Sequence, residues 1–185
     1  MSDPVFRLAV VCSADGFIAR HAGHSPADWA SPEEQRVFLA EVEAADWGIM
    51  GRGTHQAADR PERRRIVFSS TAPGPEWRRP TQLWLDPAAI RPQDLARHVA
   101  ARRPLGQGLI LGGTRVHDWF RAHRAIDEIL LTEEPVCFGS GLPIFSGQRP
   151  GGPAEVLEQA GFACVRDETL NDAGTRLSLW RPVRL

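Results

Sequence analysis

The chain has no lysine and no tyrosine, so all 22 of its cationic side chains are arginine. That absence excludes a Schiff-base lysine, a phosphate-loop lysine and a tyrosine acid. The bias fits GC-rich coding better than any chemical need. Cysteine is scarce: Cys12, Cys137 and Cys164 lie far apart and show no C-x-x-C spacing. An odd, scattered set argues for reduced core thiols, two of them in apolar strand-like runs, and against a disulfide framework. No apolar run approaches the roughly 20 residues that cross a bilayer. Met1-Ser2-Asp3-Pro4 leads into a short strand without the basic and long apolar regions of a signal peptide. The expected location is the cytoplasm. An excess of one charge is also missing. The formal net charge of −1 gives no electrostatic reason for a nucleic-acid or membrane partner.

What is present is an ordinary globular composition over 185 residues, with 42% hydrophobic and 24% charged residues. That is enough chain for one domain, 1–185, with a full core. No repeat, linker or low-complexity block divides it.

Val5 to Cys12 is rich in Val, Leu and Ala and reads as a buried parallel strand. Ser13-Ala14-Asp15-Gly16 breaks it, and a loop runs to about Trp29. Ser31 is a helix N-cap, with Pro32 at the first position and Glu33 and Glu34 at the positive end of the dipole. This helix is expected to reach Ala45, with Val37, Phe38, Glu41 and Val42 near one face. Strands follow at Trp47–Met50, Ile66–Phe68 and Gln82–Leu85, with a polar, arginine-rich loop from Gly51 to Arg65. Pro92 to Arg103 is a helix. The apolar run at Leu109 is a strand feeding Gly112-Gly113 and an amphipathic helix. Ile126 to Thr132 is a strand, then a long loop runs from Glu133 to Gly147. Phe162–Leu170 and Thr175–Trp180 form a hairpin around Asn171-Asp172-Ala173-Gly174. Strands alternating with helices, then a hairpin, make this an α/β chain with a mostly parallel sheet and an antiparallel edge.

Two strand ends carry the chemistry. Gly112-Gly113 lets backbone N–H groups approach an anion at a helix N-terminus, and a diphosphate suits that place. Many such turns use Gly-Gly only to make the bend. The second segment, Ile49-Met50-Gly51-Arg52-Gly53-Thr54, changes the reading. Arg52 and Thr54 can give charge-assisted and hydroxyl hydrogen bonds to phosphate, and Ser69 and Ser70 add short donors. Arginine beside hydroxyls suits the 2′-phosphate of NADP rather than the diol of NAD. The competing reading makes Arg52 a solvated loop cation.

Met50-Gly51-Arg52-Gly53-Thr54, Val67-Phe68-Ser69-Ser70 and Gly112-Gly113-Thr114-Arg115-Val116 fall in the order and spacing of the dihydrofolate reductase superfamily, which the chain resembles. Ser13-Ala14-Asp15-Gly16-Phe17-Ile18-Ala19, Ile126-Asp127-Glu128-Ile129 and Phe138-Gly139-Ser140-Gly141-Leu142-Pro143-Ile144-Phe145 are more similar to one branch. That branch is the riboflavin-biosynthesis reductase (RibD C-terminal) domain and its stand-alone relatives. The resemblance covers nearly the whole chain. It implies a three-layer dihydrofolate-reductase-like fold: a twisted, mostly parallel mixed sheet with helices on both faces. NADPH would lie across the strand ends, with no metal or flavin. Gly112 to Val116 would take the diphosphate, Gly51, Arg52, Thr54, Ser69 and Ser70 the 2′-phosphate side, and Val11, Ile18, Ala19 and Trp29 the nicotinamide side. Stand-alone relatives imply a homodimer.

On the substrate side, Trp29, Glu34 and Phe38 reproduce the superfamily's tryptophan–carboxylate–phenylalanine spacing, and Thr132 matches the threonine that holds the carboxylate. A carboxylate in an apolar cleft can pair with an amino-pyrimidine edge and support ring protonation. Glu34 equally makes sense as a first-turn helix residue. The chain departs from the riboflavin branch at Val42 and at Ile110-Leu111, where that branch carries an arginine and an acid. The loop around Asp59-Arg60-Pro61 is shortened, and no deaminase-like segment accompanies the rest. Three functions stay open: an NADPH-dependent reductase of a small pterin- or pyrimidine-like heterocycle, the 5-amino-6-(5-phosphoribosylamino)uracil reductase, and a non-catalytic NADP(H)-binding protein. For the riboflavin intermediate, Arg60 and Arg63 to Arg65 are the available phosphate contacts. His21 and His24 lack a third ligand at metal-site spacing, and Ser140 lacks the helix and base of a nucleophile.

Overall fold

The computed structural model describes residues 2–184; Met1 and Leu185 lie outside them. In chain order the elements are β1 (Val5–Ser13), β2 (Phe17–Ala19), α1 (Pro32–Ala44), β3 (Trp47–Gly51), α2 (Arg52–Ala57), β4 (Arg65–Phe68), β5 (Glu76–Arg79), β6 (Gln82–Leu85), α3 (Asp94–Val99), β7 (Gln107–Gly112), α4 (Thr114–Ala122), β8 (Glu128–Glu134), β9 (Leu142–Pro143), α5 (Pro153–Gln159), β10 (Phe162–Thr169) and β11 (Arg176–Pro182). A nine-stranded sheet runs β10-β11-β8-β1-β7-β3-β4-β6-β5, and β2 pairs with β9 apart from it. From β8 to β6 every pairing is parallel. The β10–β11 hairpin closes one edge antiparallel, as its turn residues predict. The opposite edge is also antiparallel through β5. That strand escapes sequence reading because Glu-Trp-Arg-Arg has no apolar run.

Successive side chains of a strand point to opposite faces. The Arg7 guanidinium reaches Glu41 of α1 at 2.9 Å, while the ring of Phe6 packs on Phe120 of α4 with centroids 5.0 Å apart. Helices α1 and α4 therefore cover opposite faces, which gives the three expected layers. The main core lies on the α4 side, where Phe6, Leu8, Val10 and Cys12 meet Ile49, Phe68, Ile110 and Phe120. The α1 side is thinner and more polar. Val11 registers with Thr132 there, and Ser13 with Glu134. The one buried residue of α1 is Glu34.

Ser31 caps α1 as expected, its hydroxyl accepting the Glu34 N–H at 3.2 Å with Pro32 in the first turn. Three elements, α2, β2 and β9, fall in segments read as loop, and a fourth, α5, falls where the sequence reading assigns nothing. Helix α2 opens the Gly51–Arg65 segment although Arg-Gly-Thr-His-Gln-Ala has no apolar period; it buries only His55. Strands β2 and β9 are too short to carry a pattern. Helix α5 has a legible start, Pro153 followed by Glu155, and buries Val156 and Leu157. The core-thiol reading holds for Cys12 alone, since Cys137 and Cys164 are exposed. Cys164 lies on β10, the sheet edge, where burial ends after Phe162.

Candidate active site

Because β7, β3 and β4 are parallel neighbours, their C-terminal ends stand in one row. Met50 registers with Gly112, and Gly51 with Phe68. The chain leaves this row through Gly112-Gly113 into α4, through Gly51-Arg52 into α2, and through Ser69-Ser70 into a turn. Gly112 has φ 97° and is joined to Gly113 by a cis peptide. A Cβ there would stand 2.9 Å from Nε2 of His117, so no side chain fits. A Cβ on Gly113 would lie 3.9 Å from the Thr54 hydroxyl, and one on Gly51 3.6 Å from Val116, so the two turns touch. Neither α2 nor α4 has a side-chain cap. In α4 the amides of Val116 and His117 return to the Gly113 carbonyl, while those of Thr114 and Arg115, first-turn donors, have no partner among the described residues. A turn of this kind can cradle an anion with its backbone N–H groups.

Arg52 is exposed beside this turn. Its guanidinium donates to the Thr71 hydroxyl at 3.4 Å, which is 2.9 Å from that of Ser69. The hydroxyl run Ser69-Ser70-Thr71 is the only local sequence signal for Thr71. Ser70 and Arg115 are exposed. The Thr114 hydroxyl donates to the Pro143 carbonyl at 2.7 Å, leaving its amide for a ligand. Val116 packs into the core, so only its backbone faces the row. His117 is a second residue that pattern reading passed over. Fully buried between Val116 and Phe120, its Nδ1 donates to the Ile144 carbonyl at 2.8 Å. Burial pushes its pKa down to about 4, against smaller opposing effects from that carbonyl and Asp118. The neutral ring backs Gly112 and fastens α4 to the segment after β9.

Across β1 from this row stand the residues expected on the nicotinamide and substrate sides. Val11 and Ala19 are buried and Ile18 is half-buried. Phe38 follows Glu34 by one helical turn and is half-buried. Trp29 stacks its ring on His24 and sets it edge-on to Phe138, with centroids 4.9 Å apart in the second contact. Its indole N–H is buried without an acceptor among the described residues, a donor left for a ligand. Glu34 is 6% exposed, and its carboxyl pKa is pushed up to about 7, first by burial and then by the negative charge of Glu134. Thr132 is buried on the adjacent strand but makes no hydrogen bond to Glu34 among the described residues. The group reaching α1 from β8 is Glu134, which accepts from the Ser31 amide and hydroxyl.

The arginine run does not form one patch. Arg64 donates to the Asp46 carbonyl at 2.7 Å. Arg65 is buried, giving hydrogen bonds to His55 at 3.1 Å and the Ala58 carbonyl at 2.7 Å. Arg60 and Arg63 keep guanidiniums without a side-chain partner among the described residues. His24 accepts the Arg20 N–H at 3.0 Å through Nδ1.

A family model described as the RibD C-terminal domain matches residues 4–158. No curated protein matches the chain in sequence. A crystal structure from Shewanella sp. PV-4, described as a riboflavin biosynthesis protein, superposes with a TM-score of 0.69 at 21% identity, covering 97% of this chain and 99% of that one. A Thermotoga maritima diaminohydroxyphosphoribosylaminopyrimidine deaminase/5-amino-6-(5-phosphoribosylamino)uracil reductase is similar at TM-score 0.65 and 20% identity. The match takes in 98% of this chain but 57% of the Thermotoga protein. Dihydrofolate reductase from Enterococcus faecalis, solved with NADP(H), matches at TM-score 0.64 and 16% identity over 97% of both chains. These likenesses establish the fold.

Proposed function

The chain belongs to the RibD C-terminal domain family, and on that premise we propose that it is an NADPH-dependent reductase acting on a small pterin- or pyrimidine-like heterocycle. The observation that carries this reading is the single row of strand ends. It sets an uncapped Gly-Gly turn beside Arg52, Ser69 and Thr71, with a buried acid across β1.

The α4 amides and Gly112-Gly113 would hold the cofactor diphosphate, because oriented N–H groups stabilise an anion where no side chain intrudes. Arg52, with Thr54, Ser69, Ser70 and Thr71, would hold the 2′-phosphate through charge-assisted bonds. Val11, Ile18 and Ala19 would line the nicotinamide side and exclude water. NADPH, when bound, supplies the hydride. Glu34 supports the matching proton: a carboxyl titrating at about 7 is half protonated at neutral pH and can donate. Its apolar neighbour Phe38 would lie against the heterocycle, and the free Trp29 indole N–H is a further donor. The chain would work in the cytoplasm as a homodimer.

One observation favours a second substrate within the same reading. Arg60 and Arg63 have no side-chain partner among the described residues and could take the ribose phosphate of 5-amino-6-(5-phosphoribosylamino)uracil, although Arg64 and Arg65 are held by the carbonyls of Asp46 and Ala58 and by His55. The test is substrate-dependent loss of NADPH absorbance across a panel of pterins, pyrimidines and the phosphoribosyl compound. Turnover should decline above about pH 7 as Glu34 loses its proton. Glu34→Gln should lower kcat on the order of 100-fold with NADPH affinity unchanged. No turnover on any member would leave an NADP(H)-binding protein, and equal losses in kcat and cofactor affinity would remove Glu34 from the acid role.

A further inference from the structure

Glu134 is an anionic side chain at a place that the reductase reading leaves unused. It ends β8, is 3% exposed, and is held from two sides. One carboxylate oxygen accepts the Ser31 amide at 2.9 Å and the Ser31 hydroxyl at 2.7 Å. The other accepts the hydroxyl of Thr175 at 2.8 Å, a residue with no exposed surface. A hydroxyl has one proton to give. Ser31 gives its proton to Glu134 and must therefore accept from the Glu34 N–H. Thr175 likewise donates to Glu134 and accepts from Asn171, whose amide nitrogen also donates to Glu33 at 3.1 Å. The hairpin turn, the end of β8 and the first turn of α1 thus converge on one carboxylate.

We propose that Glu134 is a positioning residue for the reaction, fixing where the Glu34 carboxyl stands and which charge it faces. The surrounding charges leave Glu134 that role. Helix α1 packs on β1 and β7. The one charged residue of β1, Arg7, is paired with Glu41 and Glu128, and β7 carries none. From β8, Glu133 points to the opposite face. The turn presents Asn171 and Thr175, both neutral, and Asp172. On α1 itself Glu33 is bonded to Asn171 and Arg36 is exposed, as is Asp28 before the helix. Two buried carboxyls on adjoining elements resist joint ionisation, which favours a protonated Glu34. The same clasp keeps the helix from moving away from that repulsion.

The catalytic consequence rests on the reductase reading; the coupling itself is measurable without turnover. Carboxyl infrared or carbon-13 titration of the full chain should show one group ionising near neutrality, absent in Glu34→Gln. In Glu134→Gln that midpoint should fall by about one pH unit, while kcat drops and KM for NADPH holds. An unmoved midpoint in Glu134→Gln overturns the proposal. So does a near-neutral signal that survives Glu34→Gln, because the proton then resides on another group. A shifted midpoint with no turnover by any variant upholds the coupling and removes the reductase reading instead. Should Glu134→Gln not fold, Thr175→Val takes away one donor only. Any displacement of the Glu34 midpoint then supports the clasp, and none refutes it.

Discussion

Arg52 shows how much rests on a single side chain. It is exposed, at the first position of α2, and its one side-chain partner among the described residues is the Thr71 hydroxyl at 3.4 Å, a long bond that a phosphate would readily replace. If it reads the 2′-phosphate, Arg52→Ala should weaken NADPH by about 1.5–3 kcal/mol, as expected for a hydrogen bond to a charged group. NADH, lacking that phosphate, should be almost unaffected. Titration of both cofactors against both proteins checks this, and an equal loss would return Arg52 to the status of a loop cation. Arg52 was legible in sequence because its neighbours Gly51, Gly53 and Thr54 make a local pattern. Glu134 was not, since its partner Ser31 lies 103 residues away.

At the scale of elements, the clasp between α4 and the segment after β9 controls the glycine turn. The folded protein keeps His117 neutral down to about pH 4, whereas the unfolded chain protonates near its ordinary 6.5. Between those values the unfolded state binds the extra proton, so this residue lowers stability as pH falls from 6.5 to 4. His117→Gln keeps an N–H for the Ile144 carbonyl and cannot titrate. Its unfolding free energy should therefore decline less over that interval than that of the native chain, as measured by denaturant melts at both pH values. Parallel declines would show that the buried imidazole is not the group responsible. Helix α1 illustrates the opposite case, since Ser31, Pro32 and the paired glutamates announce its start, and the cap forms there.

For the whole molecule, β10 leaves the sheet with an exposed edge, and Val165 on it is 51% exposed. Natural sheets shield such edges, and exposed Leu39 on α1 adds apolar surface. The expected assembly is a homodimer, so light scattering at micromolar concentration should give twice the 20.4 kDa chain mass. A species of chain mass at that concentration would count against it.

The sequence by itself determined the parallel core strands, the cap of α1, the hairpin and the glycine turns, because each depends on residues within a few positions of one another. It also carried the family resemblance, since six short motifs in order survive without knowledge of contacts. Tertiary structure decided what those pieces do together. Only the register of β7, β3 and β4 sets Gly112, Gly51 and Ser69 side by side. Only packing shows that Arg64 and Arg65 are held by other parts of the fold, and that Glu34 is buried near the charge of Glu134 and makes no hydrogen bond to Thr132 among the described residues. Burial and charge proximity join residues far apart in the chain, and no local pattern records them.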